Sequence, residues 1–517
     1  MKILQKHPLH FLFFSAFPIL FFFSHNIEET VLSKTFVPIL SVTFTSVILF
    51  LGLRSIIGNK EKAGIIVSTF VVLFFSFGHI TSFFGSALSK LNINSELLIL
   101  IVWLVFFVFA VYFVVRSRNS FFRLTHVLNV VSLFLISISL FNIGYYEIRS
   151  GRLLAAFKKT SNLQSIESVK VQEPLRDIYY IITDRYAGQK ALKDHYNYDN
   201  SRFLNFLKEN GFYVAGKSHA NYSKTFTSLA SSLNMEYLDF LTEEYPNTDD
   251  WSVVYPLIED NKVQRFLKKT GYKFIYFGDW WEPTRKSKFA DQNFNYYGSG
   301  IFDEFTSKLL ETTLVYPLIK KDEDWLSSVR NDHEFQFTKL AKLSKEDGPK
   351  FIFAHMLLPH DPYVYDQNCN LVEKEVKLGS DGEPQAYVNQ LTCTNTKFES
   401  LISGILKNSD PDPIIVIQSD EGPFTQEFKG LVGGEIDWTA LSKESLTTHM
   451  LILNALHLPE FKNSQKLLYP TMTPVNTFRI IFNHYFGTDL AILPDKSYIF
   501  ARMERPYDFI DITEKLR

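Results

Sequence analysis

Cysteine is almost missing from this chain of 517 residues: there are two, Cys369 and Cys393, and no CxxC pair. A cysteine zinc site is thereby excluded. Runs of like charge are missing too, and 53 basic against 55 acidic residues leave a net charge of −2. So even a balance excludes a nucleic-acid partner. The most telling shortage is local. Five stretches, at 8–24, 35–53, 65–87, 97–115 and 124–146, contain no Asp, Glu, Lys or Arg. Each is close to the ~20 apolar residues that cross a bilayer. Spans without acids or bases suit an anchor or lipid-handling platform rather than a channel, transporter or pump. The first, with a Phe-rich core from Phe11 to Phe23, has the look of a signal peptide. No small-x-small cleavage site follows it and four more spans do, so a retained helix is expected.

Loop charges then set an orientation. Lys2, Lys6, Arg54, Lys60, Lys62, Arg116, Arg118 and Arg123 fall on one side, eight positives against Lys34 and Lys90 on the other. The N-terminus is therefore expected inside. After five crossings the remainder lies outside the cytosol, as in a multi-pass protein of the cell membrane. Arg149, Arg152, Lys158 and Lys159 follow the fifth span and can meet anionic lipid at the outer surface. Residues 1–149 thus read as a transmembrane domain of five helices, 150–172 as a polar connector, and 173–517 as one extracytoplasmic domain. There, two cysteines 24 apart are expected to form one disulfide, the alternative being two unrelated buried thiols.

The larger domain alternates strand-like and helix-like pieces. Asp177–Thr183 (DIYYIIT), Phe274–Phe277, Lys350–Met356 and Ile414–Gln418 (IIVIQ) are short apolar runs that suit buried strands. Ser201–Asn210 has helical spacing, with Gly211 at its end. The expected fold class is an α/β/α sandwich on a mostly parallel sheet, with ligands bound beyond the carboxyl ends of the strands.

Two of those strands run into acids: Asp184 after the first and Asp420-Glu421-Gly422 after the late one. One acid there is ordinarily a helix cap or a turn. A pair at the ends of two buried strands can converge on a divalent cation, and an all-oxygen set suits Mg, Mn or Ca. Between them lies Asn221-Tyr-Ser-Lys-Thr225-Phe-Thr227-Ser, opening into a helical pattern. A helix N-terminus favours an anion, and a hydroxyl there becomes a nucleophile if a metal lowers its pKa. Taken alone, Thr225 or Thr227 is an ordinary N-cap. His355 and His360 follow the strand at 350–356 in the order His-Met-Leu-Leu-Pro-His-Asp-Pro. They can bind phosphate oxygens or protonate a leaving group, or merely pack in a Pro-stiffened loop.

These pieces resemble the alkaline-phosphatase superfamily, in its membrane-bound sulfatase-like branch of lipoteichoic acid synthases and phosphoethanolamine transferases. That branch has five N-terminal spans before an outward-facing catalytic domain. Its order of strand-end acid, Thr nucleophile, His-x-Pro loop and Asp-His-Gly looks like Asp184, Thr225, His360-Asp-Pro and Asp420-Glu421-Gly422 here. Lys224-Thr225 with Ser228 is similar to the synthases' nucleophile segment. Thr473 to Arg479, through Gly487, resembles the late helix, and His449 falls where a family histidine does. One departure stands out. Glu421 occupies the position of the usual histidine, which makes zinc less suitable and adds negative charge.

The resemblance implies one divalent cation, manganese or magnesium first with calcium or zinc as alternatives, held by Asp184, Thr225, Asp420 and Glu421. Thr225 would be the nucleophile, and His360, His355, Lys224 and His449 would serve the substrate. The implied reaction moves a phospholipid head group, phosphoglycerol or phosphoethanolamine, to an envelope glycan or lipid through a phosphothreonine. Alternatives are a sulfatase or phosphodiesterase of the same fold, or a non-catalytic membrane receptor or scaffold. The Cys/Ser-x-Pro-x-Arg segment of classical sulfatases is absent. Trp280-Trp281 could line a glycan groove or pack at a rim, and Asn221-Tyr-Ser is a glycosylation sequon in form.

Overall fold

The computed structural model describes residues 7–517 apart from 28–29, 31, 90–94, 150–172, 247, 297–303, 320–324, 377, 429–435 and 461–466. The expected connector at 150–172 lies outside the described residues, as do Lys2, Lys6, Lys90, Arg152, Lys158, Lys159 and the Arg149 side chain. The chain divides into two compact units. The N-terminal helices form one, together with the stretch 304–319, and the rest of the larger domain forms the other.

In the first unit, α1 (His10–His25), α2 (Phe36–Ile57), α3 (Lys60–Ser89), α4 (Ser95–Arg116) and α5 (Phe122–Arg149) follow the five apolar runs. Four of them, α2 to α5, are long and apolar enough to cross a membrane, whereas α1 has 16 residues. At 1.5 Å per residue α1 covers about 24 Å, short of the ~30 Å hydrocarbon layer. Length therefore qualifies four spans where five were expected.

Polar contacts show which helix ends share a side. The amide of His10 donates to Asn129 Oδ1 at 2.6 Å, and its Nδ1 meets Ser68 Oγ at 2.6 Å, so α1, α3 and α5 begin together. Lys62, near the start of α3, donates to the Val115 and Ser117 carbonyls at the end of α4. At the opposite end of α1 and the middle of α3, the stretch 304–319 docks. Phe305 packs on Phe22 and Phe23 with ring centroids 5.4 and 6.3 Å apart. The Gly78 amide donates to the Thr312 carbonyl, and the Phe74 carbonyl accepts from the Leu314 amide, both at 2.9 Å. Phe74 O and Gly78 N are partners in a regular helix; here each is engaged by inserted backbone. Gly78 permits this, because a Cβ there would lie 2.1 Å from Glu311 O.

In the second unit, a seven-stranded sheet runs in the order β2-β7-β6-β1-β5-β3-β4. Its strands are β1 (Ile178–Thr183), β2 (Phe212–Val214), β3 (Lys273–Phe277), β4 (Gln292–Phe294), β5 (Lys350–Met356), β6 (Ile414–Ser419) and β7 (Asn454–His457). From β6 to β4 every pairing is parallel; β7 pairs antiparallel with both β6 and β2. The four expected strands appear within a residue of their expected ends, and the expected helix runs Ser201–Glu209.

The central strands are buried on both faces because apolar residues occupy every position, not every second one. On β1, Ile178, Tyr180 and Ile182 join one core, with Phe226, Leu229 and Leu233 of α6 (Thr225–Asn234). Tyr179 and Ile181 join the other, with Val329 and Leu340 of α7 (Trp325–Leu343) and Leu391 and Ile402 of α8 (Glu383–Asn408). That makes three layers, with a small β8–β9 pair (Tyr498–Phe500, Phe509–Asp511) apart from the main sheet. Cys369 and Cys393 form a disulfide joining the loop after β5 to α8.

Candidate active site

Strand register brings the acids together. Thr183 pairs with Ser419 on β6 and with Met356 on β5, so Asp184 and Asp420 emerge side by side from adjacent parallel strands. Neighbouring strands lie ~4.8 Å apart, within the reach of two carboxylates on one ion. Ligand atoms of Asp184, His355 and Asp420 lie within 4.8 Å of one another. All three residues are buried, as is Glu421. Gly422 lets the loop after β6 close: its amide donates to the His449 carbonyl at 2.6 Å, and a Cβ would lie 2.5 Å from Thr448 O.

This cluster is polar without being satisfied. Asp184 Oδ1, both Asp420 oxygens, Glu421 Oε2 and His355 Nε2 are buried without a hydrogen bond. Burial, and then the charge of Asp420, push the Asp184 carboxyl well above its ordinary range. Burial and then Glu421 push Asp420 up to about 6, and burial raises Glu421 as well. Orphaned buried carboxylates are costly unless a cation satisfies them, so these residues fit a divalent ion.

His355 differs from its expected role beside the substrate. It is fully buried, with Nε2 3.8 Å from Asp184 Oδ2. Its Nδ1 lies 2.9 Å from both Asp279 Oδ2 and Thr284 Oγ1. Burial alone would lower the pKa of this imidazole, but Asp279 raises it. A carboxylate behind the outer nitrogen orients a histidine toward a metal with the inner one. Of the expected oxygen set, Asp184 and Asp420 come within ligand distance of one another and of the His355 nitrogen, while Glu421 is not part of that cluster.

Thr225 opens α6, with Lys224 at its N-cap in extended backbone. Its hydroxyl lies beside Asp420 and its amide beside Glu421, offsetting part of the rise in each acid's pKa. Thr227, the rival hydroxyl, donates to the Lys224 carbonyl at 3.0 Å, and Ser228 donates to Tyr222 O at 2.9 Å. Lys224 Nζ lies 4.8 Å from the Phe424 ring centroid and 5.5 Å from that of Trp438. Burial lowers its pKa.

His360 Nδ1 sits on the Asp361 carbonyl, and burial, then Arg185, push its pKa down to about 4. It is a neutral imidazole whose Nδ1–H is engaged, leaving Nε2 to accept a proton. His449 is fully buried against Glu421, its Nε2 3.9 Å from Glu421 Oε2 and donating to Ser223 O at 3.0 Å, with its ring stacked on Phe424 at 5.1 Å. Trp281 packs against the core, its ring 5.8 Å from that of His355. Asn221 is buried too. It accepts from the Val475 amide and donates to Lys496 O, so it braces the nucleophile segment. Thr477, which opens α9 (Thr477–Phe486), accepts from Gln418 at 2.9 Å and so steadies β6 from the late helix.

Three site residues were not foreseen. Asp279 follows β3 as Asp184 follows β1, so the strand-end signal was there to read. Arg185 adjoins Asp184 but carried no motif. Asp361 sat inside the His-Asp-Pro loop that drew attention only for its histidine.

A family model described as Sulfatase matches residues 176–478, from just before β1 into α9. The chain belongs to the sulfatase family. No curated protein matches it. Among solved structures, the sulfatase-family chain is similar to the C-terminal periplasmic domain of EcEptC from Escherichia coli. The identity is 14% and the TM-score 0.46, over 68% of this chain and 96% of that one. It is similar to phosphoethanolamine transferase EptC from Campylobacter jejuni at 14% and 0.40, over 61% and 91%. Integral-membrane lipooligosaccharide phosphoethanolamine transferase A from Neisseria meningitidis aligns at 12% and 0.40, over 94% and 95%. Family membership rests on the 176–478 match.

Proposed function

We propose that this sulfatase-family protein is a phosphoryl-group transferase that moves a phospholipid head group to an envelope glycan or lipid through a phosphothreonine at Thr225. The observation that carries this reading is the Thr225 hydroxyl at a helix N-terminus beside Asp184, Asp420, Glu421 and His355, each of which holds at least one buried polar atom with no hydrogen bond. A divalent cation held by those residues would lower the pKa of the Thr225 hydroxyl and offset charge on the phosphoryl group. The α6 N-terminus and Lys224 favour the anionic phosphoryl group in front of Thr225. The Thr225 oxygen–phosphorus bond forms as the bond from phosphorus to the glyceride oxygen breaks, and the departing oxygen takes the proton that the Thr225 hydroxyl gives up. In the second half, neutral His360 accepts the proton of the acceptor hydroxyl as that oxygen attacks phosphorus, and returns it to the Thr225 oxygen as the Thr225–phosphorus bond breaks.

A scaffold with the same fold would leave the orphaned buried acids without a purpose, which disfavours that alternative. The five-span reading is supported by α1 starting beside α3 and α5, while the stretch 304–319 meets the end of α1 and the middle of α3. The Cys369–Cys393 disulfide supports an oxidising, extracytoplasmic location.

The test is mass spectrometry of the Thr225 peptide after the full chain, loaded with Mn, meets mixed phospholipids. A phosphoglycerol or phosphoethanolamine adduct on Thr225, absent from Thr225→Ala, is expected. Turnover of lipid by Thr225→Ala at the native rate would remove this mechanism.

A further inference from the structure

Arg185 is the residue that the mechanism above does not use, although the fold goes to some length to hold it. Its backbone is left-handed, φ 61°, a conformation that a non-glycine residue rarely adopts because its Cβ crowds the following carbonyl oxygen. Strain of this kind at a site persists only where surrounding contacts over-determine it. Here Tyr387 OH donates to the Arg185 carbonyl at 2.9 Å, and Asp184, the preceding residue, is pinned by its amide to Met356 O at 3.0 Å. The side chain is held as firmly. Arg185 Nη1 donates to Asp361 Oδ1 at 2.6 Å, and the guanidinium carbon lies 4.3 Å from the centroid of the Phe424 ring.

One edge of that guanidinium remains open. Arg185 Nε is buried and takes no hydrogen bond; its nearest acid oxygen, Glu421 Oε1, is 3.8 Å away, beyond hydrogen-bond distance. Glu421 also flanks the Thr225 amide, so the open edge faces the acid next to the nucleophile. Lys224 Nζ, beside Thr225 in sequence, lies 4.8 Å from the same Phe424 centroid, and Glu421 is the acid that acts on it most. Both cations feel the charge of Glu421, so a bound anion would share them with that acid. A buried N–H edge without a partner is costly for the same reason that a buried carboxylate is.

We propose that Arg185 and Lys224 form a clamp for the non-bridging oxygens of the transferred phosphoryl group, with the open guanidinium edge contacting substrate directly. The proposal rests on the phosphoryl-transfer reading and adds to it a second cation and its partner Asp361. A guanidinium edge offers two parallel donors to a tetrahedral anion, which an ammonium does not. Arg185→Lys should therefore recover only part of the function. Asp361 acts through Arg185 and is a positioning residue.

Binding is measured so that it does not depend on turnover. The full chain in detergent, carrying Thr225→Ala and saturated with Mn, is titrated calorimetrically with inorganic phosphate, and bound Mn is counted by elemental analysis. Adding Arg185→Gln should weaken phosphate binding at least tenfold with the Mn content unchanged, and Arg185→Lys should fall between the two. In the Thr225 protein, Arg185→Gln should raise KM for the lipid and lower kcat, while Asp361→Asn should do the same less strongly. Phosphate binding equal to the parent's would overturn the clamp even if Thr225 forms its adduct. Loss of Mn instead of phosphate would also overturn it, making Arg185 a support for Glu421. Failure of the Thr225 adduct with phosphate binding intact would instead strike the transferase reading.

Discussion

Asp420 shows how much of this site is decided by surroundings rather than by residue type. Its carboxyl is pushed up to about 6 by burial and by Glu421, above the ~3.9 of an exposed aspartate. The sign for metal-free protein follows. An acid whose folded pKa is raised stabilises the fold while protonated and loses that contribution as pH rises through the folded value. Metal-free protein should thus lose stability between about pH 4 and pH 7, by on the order of 2–3 kcal/mol from Asp420 alone. Adding Mn should restore it, because a ligand bound at 100 times its Kd contributes about 2.7 kcal/mol. Thermal unfolding with and without chelator at pH 5 and pH 7 checks this. A chelator effect no larger at pH 7 than at pH 5 would contradict the assigned cluster. At the same scale, Asp184 and Asp420 were legible because each ends an apolar run. Asp279 was equally legible, since it too follows a strand. Arg185 was not, because its open edge exists only through its left-handed backbone and the Phe424 ring beneath it.

Among the elements, α3 carries the sharpest test. Its Phe74 carbonyl and Gly78 amide bond to the backbone of 312–314, and no side chain fits at 78. Gly78→Val should destabilise the detergent-purified chain by about 1–3 kcal/mol, the usual penalty for overpacking. It should also expose the stretch 304–319 to protease; a native cleavage pattern would show that the inserted backbone is not held there. In the larger domain, the Cys369–Cys393 link closes a loop of 24 residues between the end of the β5 loop and α8. Replacing Cys393 with Ser should lower unfolding stability by about 3 kcal/mol on a chain-entropy account. Denaturant titration of oxidised and reduced protein measures it, and coincident curves would refute it. The central strands could be read from sequence because parallel strands covered on both faces are continuous apolar runs. β2, β4 and β7, of three or four residues each, are too short for a period and exist by pairing with what lies beside them.

For the molecule as a whole, the proposed five-span topology with the N-terminus inside makes a direct prediction. A cysteine at Asn26 should react with a membrane-impermeant maleimide in intact cells, and one at Asn119 only after lysis. The reverse pattern would invert the orientation and place the active site in the cytosol. By itself the sequence determined the membrane half, the α/β class, the strand-end acids and the threonine helix. These follow from local periodicity and from uncharged length, which do not depend on distant residues. The count of spans was less secure, because α1 is 16 residues long and its crossing depends on what packs alongside. Only the tertiary structure decided that His355 joins the acids, that His449 packs against Glu421 and that Arg185 faces inward. Each of those outcomes is a distance between residues far apart in the chain, set by strand register and by the side chains stacked around them.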